Sequence, residues 1–403
     1  MEEKKIRILI ANETYPPNLN GCAVFTQRLA QNLAKRGHEV AVVAPGLKFG
    51  DYLEKDQYGV NVYGLRSISV KMIHPNYRIV TKVDITKSVR KIIAKFQPDI
   101  IHIQNHFLVG RSCLKIAKKQ GIAIVGTNHF MPENYLQFAP KATEGTMAKV
   151  LWADFFKVYN QLDCVTAPSR AAVQMLYDVG YKKKAEVVSN GMEFDKFKKR
   201  PTSGKLLKKY KLDQDIPTFI SVGRIEKDKN LDVILGAFAL YLEKNDGQLI
   251  LVGNGKLEKD LKKLSVALGV KEKVVFTGKI TVDEVFEVYS LADVYIGAGT
   301  AELQGLSVME AMASGLPILV VNAVALPELV KDGANGYLFE LSVADLAEKM
   351  GEILEDKVKI KEMGAKSLEI IGAHDMANTI GKFERIYEKV IKEKKKSYPN
   401  SRK

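Results

Sequence analysis

The chain has 403 residues, 46% of them hydrophobic, 8% aromatic and 27% charged, which is ordinary for a soluble globular protein but too long for one core, so two domains are expected. Lys and Arg total 61 against 47 Asp and Glu, and the net charge of +14 favours an anionic partner: nucleic acid, a phosphorylated small molecule or an acidic membrane surface. Three scattered cysteines, Cys22, Cys113 and Cys164, lack any pairing or metal spacing, which argues against a disulfide scaffold and for a reducing compartment.

The first residues run directly into a β-branched segment, Ile6–Ala11, without an apolar signal region. No apolar stretch approaches the roughly 20 residues that cross a bilayer. The expected location is therefore cytoplasmic, in solution or on the inner face of the membrane. Buried strands are predicted at Ile6–Ala11, Glu39–Ala44, Asp99–Ile103, Ile122–Gly126, Asp163–Ala167 and Ala185–Ser189, with amphipathic helices such as Ala23–Arg36 and Ala171–Asp178 between them. That alternation specifies βαβ units and a parallel, doubly wound sheet. Residues Asn190–Asp215, lysine-rich and punctuated by Gly191, Pro201 and Gly204, carry no strand pattern and read as a linker. A second series follows: Pro217–Val222, Gln248–Val252, Lys273–Thr277, Asp293–Gly297 and Pro317–Val321. The expectation is an α/β protein of two tandem Rossmann-like domains, residues 1–195 and 196–374, with a charged helix and basic tail at 375–403.

Ligands of open parallel sheets bind beyond the carboxyl ends of the strands, so strand-to-helix loops are the candidate sites, and two facing sheets would share a cleft. The richest loop is Thr300-Ala-Glu302-Leu-Gln-Gly305-Leu-Ser307-Val-Met-Glu310-Ala-Met-Ala-Ser-Gly315-Leu-Pro317. Gly305 and Ser307 suit a helix start, whose unpaired N–H groups attract an anion, and eight helical residues span about 12 Å. Glu302 before that helix and Glu310 within it are spaced to bracket a diphosphate and grip hydroxyls on either side. One such Glu alone would be an ordinary solvated acid. Loop, glycine, helix start and two acids together point to function.

Glu302 and Glu310, separated by seven residues and followed by Ala-Met-Ala-Ser-Gly-Leu-Pro, resemble the signature of glycosyltransferase family 4. The resemblance covers nearly the whole chain. It implies the GT-B fold, with residues 1–195 binding the acceptor, 196–374 the nucleotide-sugar donor, and 375–403 packing back on the first domain. It also implies transfer with retained anomeric configuration, with Glu302 on the donor sugar hydroxyls and Glu310 on the ribose. Leu306 and Ser307 would then offer backbone amides to the diphosphate or sugar.

Other loops fit the same resemblance. Arg224 and Lys229, in Ser221-Val-Gly223-Arg224-Ile-Glu-Lys-Asp-Lys229-Asn230, resemble the family's phosphate-binding pair; alone, they are cations able to neutralise a pyrophosphate or solvated loop residues. Gly253 and Asn254, in Val252-Gly-Asn-Gly255, allow close backbone approach or form a plain turn. Ile280 would meet the base through its backbone in the family pattern, while its side chain reads as packing. Gly21 resembles the family's glycine loop near diphosphate and acceptor, with Asn20-Gly21 in place of paired glycines. His129, in Thr127-Asn128-His129 just past a strand, resembles the family's histidine near sugar and acceptor; a structural hydrogen bond is the competing reading. His106, also past a strand, is an acceptor-side candidate, and His38 reads as structural.

Cleavage of the anomeric bond places negative charge on the leaving phosphate. Arg224, Lys229 and the helix start near Ser307 would stabilise it in place of a metal, so no metal and no cofactor beyond the donor is expected. Asp213-Gln-Asp215 precedes a strand and reads as a turn. The carboxylates of a retaining glycosidase stand about 5 Å apart; Glu302 and Glu310 are too distant along the helix for that, and retention is implied by the resemblance alone. The Glu302-Leu-Gln304-Gly305-Leu306 form, with Ala301 before it, resembles diacylglycerol glucosyltransferases. This implies UDP-glucose as donor, diacylglycerol as acceptor and an anionic membrane surface as partner. Segment Tyr77–Phe96 sets Ile85, Val89, Ile92, Ile93 and Phe96 on one stripe among Lys82, Lys87, Arg90, Lys91 and Lys95, suiting either an interface or a helix packed on its sheet. The alternatives are a family 4 transferase for another lipid, a soluble alcohol or a glycan, and a nucleotide-sugar isomerase, which the acidic pair disfavours. Nucleic acid is not expected as a partner, because no helix-turn-helix, zinc or aromatic RNA motif is present.

Overall fold

The computed structural model describes residues 5–17, 20–70, 78–81, 85–136, 140–197 and 204–397. The chain divides into two compact units. The first comprises Met1–Pro132, Pro140–Gly191 and Met376–Lys403; the second comprises Glu133–Ala139 and Met192–Asp375.

The first unit holds β1 (Arg7–Ala11), β2 (Glu39–Pro45), β3 (Tyr52–Lys55), β4 (Asn61–Leu65), β5 (Ser67–Ser69), β6 (Arg78–Val80), β7 (Ile100–Ile103), β8 (Ala123–Thr127), β9 (Cys164–Ala167) and β10 (Ala185–Val187). Eight of these form one sheet in the order β10-β9-β8-β7-β1-β2-β4-β3, parallel except where β3 runs against β4. β5 and β6 form a separate antiparallel ribbon. The central strands are continuous apolar runs because both faces of a parallel sheet are covered; Ile8, Leu9 and Ile10 are fully buried. The helix Met376–Ser397 belongs to this unit. Met376, Ile380, Phe383, Tyr387 and Val390 recur at helical spacing and enter the same core as Ile8, Ile10 and Val125. His38 is a structural link: Nδ1 accepts from the Ile6 N–H at 3.3 Å and Nε2 lies 3.1 Å from Glu384 Oε1. Helix Ile85–Phe96 buries Val89, Ile93 and Phe96 and packs against helix Leu108–Gln120. Tyr77 and Lys82 of the basic segment lie outside the described residues.

The second unit holds β11 (Thr218–Val222), β12 (Gln248–Val252), β13 (Val274–Gly278), β14 (Val294–Gly297), β15 (Ile318–Val321) and β16 (Gly336–Phe339). Their order is β13-β12-β11-β14-β15-β16, all parallel. The lysine-rich stretch Asn190–Asp215 is not a bare linker. It forms short helices at Phe194–Phe197 and Gly204–Tyr210, and Met192, Phe197 and Leu206 are buried in the second core. The Phe197 ring meets Phe286 edge-on at 4.8 Å. Apolar anchors spaced among lysines hide from a composition-based reading, and Pro201 itself lies outside the described residues. Among the described residues no helix is long and apolar enough to cross a membrane.

Candidate active site

In the second sheet β11 and β14 are neighbours whose connections leave in opposite directions, which opens a crevice at their carboxyl ends. Arg224 and Lys229 after β11, and Glu302 and Ser307 after β14, line one cavity there. The loops are tied in place by their own backbones. The Gly223 N–H donates to the Val252 carbonyl and the Ile225 N–H to the Asn254 carbonyl, each at 3.0 Å. Gly253, at φ 130°, must be glycine, since a Cβ would sit 1.9 Å from the Gly223 oxygen. Gly253 and Asn254 thus serve this interlock. Across the crevice, the Asn230 side-chain amide donates to the Ala298 carbonyl at 2.8 Å and the Thr300 N–H to the Asp228 carbonyl at 3.2 Å.

These ties set Lys229 against Glu302, with which its ammonium forms an ion pair. Lys229 Nζ is also 3.5 Å from Asp228 Oδ2, and Arg224 Nη2 donates to the same oxygen at 3.2 Å. Burial lowers the Lys229 pKa, but the Glu302 and Asp228 carboxylates outweigh it and the net shift is upward. Asp228 aligns both cations, and its Oδ1 is buried without a hydrogen-bond partner among the described residues. Sequence reading missed it; the signal was an acid four residues after Arg224 and adjacent to Lys229.

The helix Leu306–Ala313 starts at Gly305, φ 71°, with no side-chain cap and no acid in its first turn. Its leading amides therefore keep their partial positive charge. The Ser307 hydroxyl is paired with the buried Tyr295 hydroxyl at 2.8 Å, which fixes its direction beside the helix start. The Tyr289 hydroxyl donates to Glu310 Oε2 at 3.1 Å and to the Ser307 carbonyl at 3.3 Å. Both tyrosines escaped sequence reading because isolated tyrosines look like core. Leu306 and Ile280 pack, partly buried, against the second core. Asp213 Oδ1 accepts from the Asp215 N–H at 2.9 Å, a turn, and no cluster of metal-ligating side chains occurs among the described residues.

In the first sheet the corresponding switch lies between β1 and β7. Gln104, just past β7, donates its backbone N–H to the Ala11 carbonyl at 2.8 Å. His129, two residues past β8, lies with Nε2 2.9 Å from Gln104 Oε1, and its ring meets Phe25 at 5.1 Å. Burial pushes the His129 pKa down to about 3. Gly21 opens the helix Gly21–Lys35, and the Asn20 side chain caps that helix, accepting from the Ala23 N–H at 2.8 Å. Asn18 and Leu19 of that loop lie outside the described residues. His106 corrects expectation: it is fully buried among the rings of Phe107, Phe130 and Phe155, and burial pushes its pKa down to about 4. A strand-end position alone does not expose a side chain. Glu13, unremarked in the sequence, follows β1 and accepts from the Val109 N–H at 2.6 Å; burial pushes its pKa up to about 7.

Residues 203–369 match the family described as Glycosyl transferases group 1, and residues 19–196 match Glycosyltransferase Family 4. The chain is 30% identical over 370 residues to a protein of Streptococcus pneumoniae named alpha-monoglucosyldiacylglycerol synthase, covering 90% of this chain and 81% of that one. It is 26% identical over 377 residues to a Corynebacterium glutamicum protein named GDP-mannose-dependent alpha-mannosyltransferase, covering 91% and 84%. Its fold is that of a sucrose-phosphate synthase from Thermosynechococcus elongatus, with a TM-score of 0.80 at 18% identity over 96% of this chain and 100% of that one.

Proposed function

We propose a reaction for this chain, which belongs to glycosyltransferase family 4: it moves a glucosyl group from UDP-glucose to a hydroxyl of diacylglycerol, with retention and without a metal ion. The acceptor is taken from an anionic membrane surface on which the protein rests peripherally. The observation that carries the donor half is the cavity at the β11–β14 switch, where Arg224, Lys229, Glu302 and an uncapped helix start converge. The donor diphosphate takes the Lys229 ammonium from Glu302, while Asp228 keeps Lys229 and Arg224 aligned. The freed carboxylate grips the sugar hydroxyls, and Glu310, held by Tyr289, takes the ribose. As the anomeric bond breaks, charge on the leaving phosphate meets cations and amides already in place, so little reorganisation is needed. The acceptor attacks on the face the diphosphate leaves, and its proton passes to the departing phosphate.

The acceptor half is supported by the Streptococcus pneumoniae relative and by the net charge of +14, which suits an anionic surface. A second reading, with GDP-mannose as donor, is favoured by the Corynebacterium glutamicum relative. The test offers labelled UDP-glucose or GDP-mannose to the protein in EDTA, with phosphatidylglycerol vesicles that contain or lack diacylglycerol. Lipid-borne label from UDP-glucose, dependent on diacylglycerol and of unchanged anomeric configuration, is expected. Label from GDP-mannose alone moves the donor to the second reading, and label in a water-soluble product refutes the lipid acceptor. Turnover abolished by EDTA refutes metal independence, and an inverted product refutes retention.

A further inference from the structure

We propose that Gln104 is a positioning residue for His129, holding its imidazole in the neutral Nε2–H tautomer so that Nδ1 accepts a hydrogen bond from a substrate hydroxyl. Only the hydroxyl rests on the transferase reading; the tautomer is a property of the protein alone. Gln104 lies at the β1–β7 switch of the first sheet with no solvent exposure, and its backbone is pinned to the end of β1 by the bond to Ala11. Its Oε1 is 2.9 Å from His129 Nε2, and Phe25 braces the ring from the helix Gly21–Lys35. An amide oxygen can only accept, so with Oε1 facing the ring His129 Nε2 carries the proton and Nδ1 the lone pair. Among the described residues Nδ1 has no hydrogen-bond partner, and His129 is only partly buried.

The choice of glutamine is informative. Among the described residues its Nε2 is buried without a partner, which packing alone would not favour, since leucine fills similar space with no orphan donor. A carboxylate in its place would hold the ring equally well but would draw it towards the imidazolium, which has no lone pair to offer. Among the described residues, His102 on β7 is a titratable neighbour of His129. It is pinned between the Tyr387 and Thr127 hydroxyls at 2.7 Å each, and its own pKa is pushed down to about 3 by burial and by the neighbouring His129. Burial alone pushes the His129 pKa down, with no carboxylate acting against it. The environment thus agrees with an imidazole that stays neutral through the working range.

The experiment uses the full chain labelled with 15N-histidine; its six histidines are sorted by the loss of the His129 signals in His129→Asn. In the wild type His129 should show protonated Nε2, unprotonated Nδ1 and no titration between about pH 5 and pH 8. In Gln104→Glu it should titrate within that range, as the introduced carboxylate stabilises the cation. Turnover of that variant should fall about tenfold near pH 6 and recover as pH rises through the new pKa, a limb the wild type lacks, with KM for the donor little changed. Gln104→Leu should mix the tautomers and lose turnover several-fold evenly across the range. Protonated Nδ1 in the wild type overturns the proposal, as does a Gln104→Glu variant with the wild-type pH profile. If the wild type transfers no sugar, the transferase reading falls, while the tautomer still decides the positioning role.

Discussion

Lys229→Met separates what the ion pair at the crevice does for the fold from what it does for the reaction. The substitution keeps the length of the aliphatic stem and removes the cation that pairs with Glu302 and lies 3.5 Å from Asp228. It leaves two carboxylates, 21% and 7% exposed, without that partner. Stranding one member of a fully buried pair costs about 3–5 kcal/mol, and breaking an exposed pair about 0–1. With Lys229 at 19% exposure the site sits between these limits, so a loss of about 2 kcal/mol is expected, lowering Tm by about 4–8 °C for a unit of this size. Loss of a preorganised positive group at a leaving phosphate costs about 10²–10³-fold in turnover. Adding Glu302→Gln removes one of the two charges and leaves Asp228 to Arg224, so the double variant should melt within about 2–4 °C of the wild type while turnover stays lost. Thermal melts and initial rates of glucosyl transfer read the two effects. A double variant that regains turnover would mean that Lys229 only restrains Glu302, and a single variant that melts with the wild type would mean that the pair has no structural worth; either result refutes the reasoning.

Two further perturbations bear on the same sites. Glu310→Ala should raise KM for the donor by about 10–100-fold with kcat nearly unchanged, whereas Glu302→Ala should mainly lower kcat; small, equal effects on both would end the idea of a clamp with sugar at one acid and ribose at the other. Glu13, whose pKa is raised from 4.5 to about 7 by burial, holds a proton in the folded state that the unfolded chain releases. Stability should therefore fall as pH rises through that window. Glu13→Gln should be more stable than the wild type by about 3 kcal/mol at about pH 8 and no different near pH 4, as read by chemical denaturation, and a difference that ignores pH would refute the assignment.

The parallel strands were legible because a strand covered on both faces has little choice of composition. Gln248–Val252 is the same in sequence pattern and in structure, and most other predicted strands differ at their ends by a residue or two. The hairpin β3–β4, the ribbon β5–β6 and the last strand β16 were not legible. They are three to five residues long; mixed exposure hides β3 to β6 from any pattern, and β16 is an apolar run of only four residues, Gly336–Phe339. At the site, the residues placed by chain order, Arg224, Lys229, Glu302 and Ser307, could be named from loop position and spacing. Asp228, Tyr289, Tyr295 and Gln104 could not, because each acts on another side chain and has no spacing of its own. His106 shows the opposite error: its position after β7 resembles that of a ligand-facing residue, and only the packing of three aromatic rings shows that it is enclosed.

On the proposed reading the site takes a diphosphate, yet two carboxylates lie beside its pair of cations, and that arrangement has a use. A lysine in this partly buried crevice without a partner would lose its proton more readily or turn towards solvent. Glu302 and Asp228 keep Lys229 charged and in position before the donor arrives. Donor binding on the proposed reading then exchanges one partner of Lys229 for another, so the new phosphate contact is worth less than its geometry alone suggests. The difference goes into the Glu302 carboxylate, which needs the sugar hydroxyls once Lys229 is taken. A nucleoside diphosphate without its sugar leaves that need unmet. On the proposed reading, the same exchange that admits the whole donor would weaken the hold on the spent one, and product release would then be built into Glu302, the acid that the sequence first singled out.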